Sequence, residues 1–147
     1  MLIRDLQTAG AAPALEMTLR FAGARQKILS HNIANIDTPD FRPIDVSTKG
    51  FQALLGDAIE RRRERTGGAF GSLELGRSRE VKQGFGTAIE LRPDTHSGGV
   101  LHHDRNSADI ERMMQDLVEN AAVFRVASDL LRSQRDQLRN AIGQRVL

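Results

Sequence analysis

The chain of 147 residues contains no cysteine, no tryptophan and no tyrosine. Without thiols there is no disulfide framework, no Cys-ligated zinc site and no thiol nucleophile. Phenylalanine is the sole aromatic and accounts for 4% of the residues. A globular core therefore has few large anchors, and the composition suits long helices with narrow apolar stripes. No run of about 18 apolar residues occurs, which excludes a membrane-spanning helix by length. Met1-Leu2-Ile3-Arg4-Asp5-Leu6 is too short and too charged for the apolar region of a signal peptide, so no Sec-type leader is expected. Nor does one sign of charge dominate: 21 cations face 19 anions, for a net charge of +2. The pI near 9.6 comes from a small excess of arginine in a chain without Tyr or Cys, and it creates no strong positive field. There is no Gly-x-Ser-x-Gly elbow and no phosphate loop ending in Gly-Lys-Ser/Thr. Nothing in this inventory argues for catalysis or for a cofactor, and no small-molecule substrate is expected.

What the chain does have is punctuation and periodicity. Ser30-His31-Asn32-Ile33-Ala34-Asn35-Ile36-Asp37-Thr38-Pro39-Asp40-Phe41 ends a long helical pattern abruptly. Proline donates no hydrogen bond, and its ring pushes the preceding residue out of the helical region. Asn32 and Asn35, three apart, fall on nearly the same side of the helix, where a carboxamide can bridge helix carbonyls to another segment. Upstream, Leu15, Leu19, Ala22, Gln26, Leu29, Ile33 and Ile36 alternate at spacings of four and three, a heptad seam. Polar Gln26 in that seam costs stability and favours one register or one partner. The pattern predicts a helix from about Pro13, tolerated in the first turn, to Ile36, roughly 35 Å long.

The same alternation runs through Ile110, Met114, Leu117, Ala121, Phe124, Ser128, Leu131, Arg135, Leu138 and Ile142. With Asp109 as N-cap and Gly143 at the end, this predicts a helix of about 50 Å. So long a helix cannot bury its stripe on itself, and the shorter N-terminal helix covers only part of it. The remaining seam calls for other chains.

Between the two helices, Phe51, Leu54, Leu55, Ala58 and Ile59 fit one face of a short helix capped by Ser47 or Thr48. It ends in Arg61-Arg62-Arg63-Glu64-Arg65. That run reads as a solvated helix end favoured by the dipole. The rival reading is a nucleic-acid-binding coiled coil that uses Arg61 to Arg65, although no aromatic is interleaved for base stacking. Residues 66–87 hold six of the 13 glycines (Gly67, Gly68, Gly71, Gly76, Gly84 and Gly86) and sustain no period, which predicts a flexible insert. Gly84-x-Gly86 lacks the third glycine, the preceding strand and the following helix of a dinucleotide loop. Thr87 to Pro93 predicts a short strand, with Val100-Leu101 as a nearby partner after Gly98-Gly99. His96, His102, His103 and Asp104 are ligand types suited to zinc. Adjacent His102 and His103 do not readily face one metal, however, and no metal is assigned. The expected organisation is an N-terminal helix with its motif over 1–43, a variable, partly flexible middle over 44–104 and a long C-terminal helix over 105–147. The fold class is mainly α, with long terminal helices carrying coiled-coil seams and short β elements in between.

Two groups of residues carry a family resemblance. Arg25-Gln26-x-x-Leu29-x-x-Asn32-Ile33-Ala34-Asn35-x-x-Thr38-Pro39, followed by the aromatic Phe41, resembles the N-terminal motif of flagellar axial proteins. His103-Asp104-Arg105-Asn106-Ser107-Ala108-Asp109, Glu111 and Glu119-Asn120-Ala121 resemble the C-terminal part of the FlgB-type proximal rod proteins of the bacterial flagellar basal body. The chain length is also similar to theirs. After Thr-Pro that family has Gly-Tyr where Asp40-Phe41 stand here, so the turn after Pro39 lacks the family's glycine and the backbone freedom it gives. The resemblance implies a structural subunit and not an enzyme, in the periplasmic rod of the basal body. It further implies export through the flagellar type III apparatus without a cleavable signal peptide. Self-association and packing on other rod subunits would run through the terminal helices, with the basal membrane ring or its adaptor as a further partner and nucleic acid as none. The tube so formed would transmit torque.

Overall fold

A computed structural model of the chain describes residues 8–84, 88–95 and 105–143, with side-chain surroundings in the last segment from residue 110 onward. Helix α1 spans Ala12–Ala34 with Pro13 in its first turn, where the missing N–H has no intrahelical partner to lose. It stops two residues short of the expected end. The Asn35 N–H turns back to the Asn32 carbonyl and the Ile36 N–H to the Ile33 carbonyl, so Ile36 lies in the turn and not in the helix.

After the turn come strand β1, Ile44–Asp45, and helix α2, Thr48–Thr66. The expected cap is in place: Ser47 Oγ accepts from the Gly50 N–H at 2.9 Å. Gly67 ends the helix in the left-handed conformation at φ 66°, its N–H bonded to the Arg63 carbonyl, as helix C-termini favour.

Strands β2, Val81–Gln83, and β3, Ile89–Leu91, pair antiparallel with Val81 opposite Leu91 and Gln83 opposite Ile89. Strand β4, Asp94–Thr95, pairs antiparallel with β1. Of the strand expected over 87–93, residues 89–91 form one, joined by residues 81–83; Thr87 and Val100-Leu101 lie outside the described residues.

The region expected to be a flexible insert is packed over much of its length. Leu73, Leu75 and Val81 are buried, and they share one core with Met17 and Phe21 of α1, Val46, and Phe51 and Ala58 of α2. Phe21 and Phe51 stack with ring centroids 4.0 Å apart and planes 5° from parallel. Side chains tie the insert down as well: Gln83 Oε1 accepts from the Leu75 N–H at 2.7 Å, and Glu80 accepts from the Ser47 N–H at 2.7 Å. The core therefore crosses the boundary expected at 43/44.

Helix α3, Arg105–Gly143, begins four residues before the expected N-cap, so Asp109 lies inside the helix and Glu111 beyond its first turn. It runs antiparallel along α1: Asp116 faces Arg25, Asn120 meets Ala22 and Gln26, and Gln134 reaches Ala9. At 39 residues against 23, it is about 58 Å long against about 35 Å.

Candidate assembly interface

Asn32 is the hinge-pin of the N-terminal motif. It is 2% exposed, and its carboxamide pairs with the backbone of Ile44 on both sides. Nδ2 donates to the Ile44 carbonyl at 2.6 Å, and Oδ1 accepts from the Ile44 N–H at 3.2 Å. A side chain thereby does what a neighbouring strand would do, and it fixes where the chain returns against α1. Asn35 acts locally, donating to the His31 carbonyl at 2.8 Å and so satisfying a helix-end acceptor. Phe41 lies edge-on to His31, centroids 5.8 Å apart.

The turn itself is closed by the Phe41 N–H on the Thr38 carbonyl at 3.1 Å, with Pro39 second and Asp40 third. Asp40 has φ 59° and is the sole non-glycine residue with positive φ among the described residues. Pro in the second position with positive φ in the third is the type II arrangement, for which glycine is the usual third residue. Asp40 enters the same region, which aspartate tolerates better than most L-residues. The motif keeps a left-handed turn without the glycine.

Arg25 joins three elements. Its guanidinium forks onto Asp45 of β1, Nε to Oδ1 at 2.9 Å and Nη2 to Oδ2 at 2.6 Å, and stands 3.7 Å from Asp116 of α3. Burial works against the charge, but the hydrogen bond and charge of Asp45, and then the charge of Asp116, outweigh it and leave the Arg25 pKa above its ordinary value. Gln26, the polar member of the N-terminal seam, accepts from Asn120 Nδ2 at 2.8 Å, and the same nitrogen donates to the Ala22 carbonyl at 2.9 Å. A matched amide pair in a helix seam fixes register.

The seam residues divide. Ala22, Leu29 and Leu131 are buried within the single chain, while Ile110, Met114, Phe124 and Ile142 are 37–52% exposed. Leu15, Leu19, Ile33, Leu117 and Leu138 are half-buried and Ala121 is exposed. On α3 the stripe that faces α1 is Met113, Leu117, Asn120, Ala127, Leu131, Gln134 and Leu138, rotated from the expected seam. Its two lines share Leu117, Leu131 and Leu138, but the second line falls one residue earlier. The reason is local. Asn120 and Gln134 find acceptors on and beside α1, and Ala127 is small enough for close approach. Phe124 lies over Gly23, its Cε2 3.5 Å from where a Cβ would sit.

The rotation leaves apolar side chains of α3 in water. Val118, Val123, Val126 and Leu130 are 48–68% exposed. Val123, Val126 and Leu130, at spacings of three and four, form one row away from α1.

The arginine run is not a uniformly solvated helix end. Arg62 is 4% exposed and donates to the carbonyls of Gly10 at 2.7 Å and Thr8 at 2.6 Å. Burial lowers its pKa from the ordinary value. Arg63 pairs with Glu60, and Arg65 with Glu74. A buried, bonded Arg62 had no signal in the sequence, where it looks like its neighbours. His96, His102, His103 and Asp104 lie outside the described residues. Among the described residues no group of three or more His, Asp or Glu side chains is placed to hold a metal, and no helix is long and apolar enough to cross a membrane.

Comparison with known proteins bears on what this arrangement serves. No protein-family model matches the chain. Two curated proteins are similar to it over most of its length. The flagellar basal body rod protein FlgB of Salmonella typhimurium is 28% identical over 127 residues, covering 84% of this chain and 86% of that protein. FlgB of Borrelia hermsii is 28% identical over 111 residues, covering 72% and 76%. The FlgB-type resemblance carried by the motifs therefore extends over most of the chain.

Proposed function

We propose that this chain is a structural subunit of the proximal flagellar basal-body rod, exported through the flagellar type III apparatus and built into the torque-transmitting tube. Its partners are further copies of itself, other rod subunits and the basal membrane ring or its adaptor. The observation that carries the reading is the similarity to two FlgB rod proteins over most of both chains. The exposed apolar row on α3 adds to it. A helix whose inner stripe is already covered by α1 still presents Val123, Val126 and Leu130 to water, and apolar side chains gathered in one row offer a neighbouring subunit a surface to cover.

The test separates assembly from folding. In cells lacking the native protein, Val126→Asp with Leu130→Asp leaves the subunit folded and exported but absent from isolated basal bodies, and the cells do not swim. Ala53→Asp, on the exposed side of α2, supports swimming. Leu131→Asp is a different case, because Leu131 is buried against the chain's own α1, and the variant loses stability as a monomer. Swimming cells whose rods contain the Val126/Leu130 variant would overturn the assignment.

A further inference from the structure

We infer that α3 is a separable arm: the chain opens along the α1–α3 seam while the body made of α1, α2 and the β2–β3 hairpin stays folded. The inference stands on the geometry of the chain alone and does not depend on the rod reading. It starts from how the core is divided. Its buried members run from Met17 to Val81, and the apolar residues packed around them extend from Ala14 to Leu91. Among the described residues, α3 contributes none. The longest helix in the chain is a lid on one face of α1, and the other face of α1 holds Met17 and Phe21 at 1% and 4% exposure in the core. When α3 leaves, α1 therefore keeps its reason to be helical.

Parting the seam exposes Leu29 and Leu131 to water, but it leaves no polar group buried without a partner. Its α1 side includes Ala22 and Gly23, so little side chain stands proud of the helix there. Asn120 and Gln26 bond across it at 2.8 Å, and on opening both amides pass to water together, so neither is left buried without a partner. Arg25 has two acidic neighbours, and the nearer belongs to the body: Asp45 at 2.6 Å against Asp116 at 3.7 Å. Losing α3 costs Arg25 its weaker contact and leaves the forked one intact. At the far end the links are Gln134 to the Ala9 carbonyl at 2.9 Å and Arg135 to Glu16 at 3.2 Å, the latter a pair at the surface that water replaces readily. By contrast, separating α1 from α2 breaks the stacked Phe21–Phe51 pair and opens the core itself.

Native-state hydrogen exchange on the full chain, with increasing denaturant and peptide-level mass detection, tests this. Peptides covering 113–138 exchange about 100-fold faster than those covering 17–29 and 51–62, through an opening that leaves the latter protected. One shared opening for all of them overturns the inference. A second variant removes dependence on that measurement. Ala127, 3% exposed, lies only in the seam, and Ala127→Asp in the full chain expels α3. The Phe21 and Phe51 ring signals and the Leu73 and Val81 methyl signals keep their folded dispersion by NMR, while amides 113–138 lose protection. Loss of the body's dispersion, or continued protection of α3, would each overturn it.

Discussion

The two long helices look alike in sequence and behave differently in the fold. Both carry apolar residues at alternating spacings of three and four. Helix α1 is used on two sides: Met17 and Phe21 enter the core and Ala22 and Leu29 lie under α3, all at 4% exposure or less. Helix α3 is used on one side, and Val118, Val126 and Leu130 remain more than half exposed. A heptad stripe therefore reports that a helix has something to bury, and not how many neighbours it has. The neighbours come from the middle of the chain, where α2 and the hairpin choose α1, and among the described residues α3 packs chiefly along α1.

The comparison breaks most visibly at phenylalanine. Phe21→Ala removes a ring stacked inside the core and lowers stability by about 4 kcal/mol. Phe124→Ala removes a ring that is 42% exposed and costs about 1 kcal/mol. Denaturant unfolding of the two variants measures this, and equal losses would erase the distinction between the helices.

A smaller effect separates the two buried asparagines. Asn32→Ala leaves both the N–H and the carbonyl of Ile44 without their partner beside the core, at a cost of about 2–3 kcal/mol. Asn120→Ala, in the seam, removes bonds to Gln26 and to the Ala22 carbonyl, with a loss of about 1 kcal/mol. Hydrogen exchange sharpens the contrast: the first variant weakens protection in α1 and α2, the second in α3 alone.

The smallest expected effect is a gain. Asp40→Gly replaces a residue held at φ 59° by the one that adopts it without steric cost. Relief of strain exceeds the added freedom of the unfolded chain, raising stability by about 0.5 kcal/mol. Because the turn belongs to the body, thermal unfolding of the body moves up while the opening of α3 does not.

Much of this architecture was legible in the residues. The alternating stripes gave both helices, Ser47 gave the cap of α2, and the position of Asn32 before Thr38-Pro39 pointed to a carboxamide bridging to another segment. Four things were not legible, each for a physical reason. Leu73 and Leu75 alternate with Ser72 and Glu74 over only a few residues among glycines, too short a strand-like pattern to stand out, yet both are buried. Arg62 sits in a run of arginines that composition cannot tell apart; only the carbonyls of Thr8 and Gly10, more than fifty residues away in sequence, single it out. The inner face of α3 contains Asn120, Ala127 and Gln134, so a search for the most apolar line finds the neighbouring one. Hydrogen bonds and close approach, and not hydropathy, set that rotation. Strands β1 and β4, two residues each, are too short to carry any period.

Where the core lies also sets an order of events. Every described residue that builds it precedes Pro93, and α3 starts at Arg105. A chain released N-terminus first has all the ingredients of its core in hand before its final helix is free to move. The last 39-residue helix then arrives at a finished surface, with the amide of Gln26 already waiting to tell Asn120 where to stop.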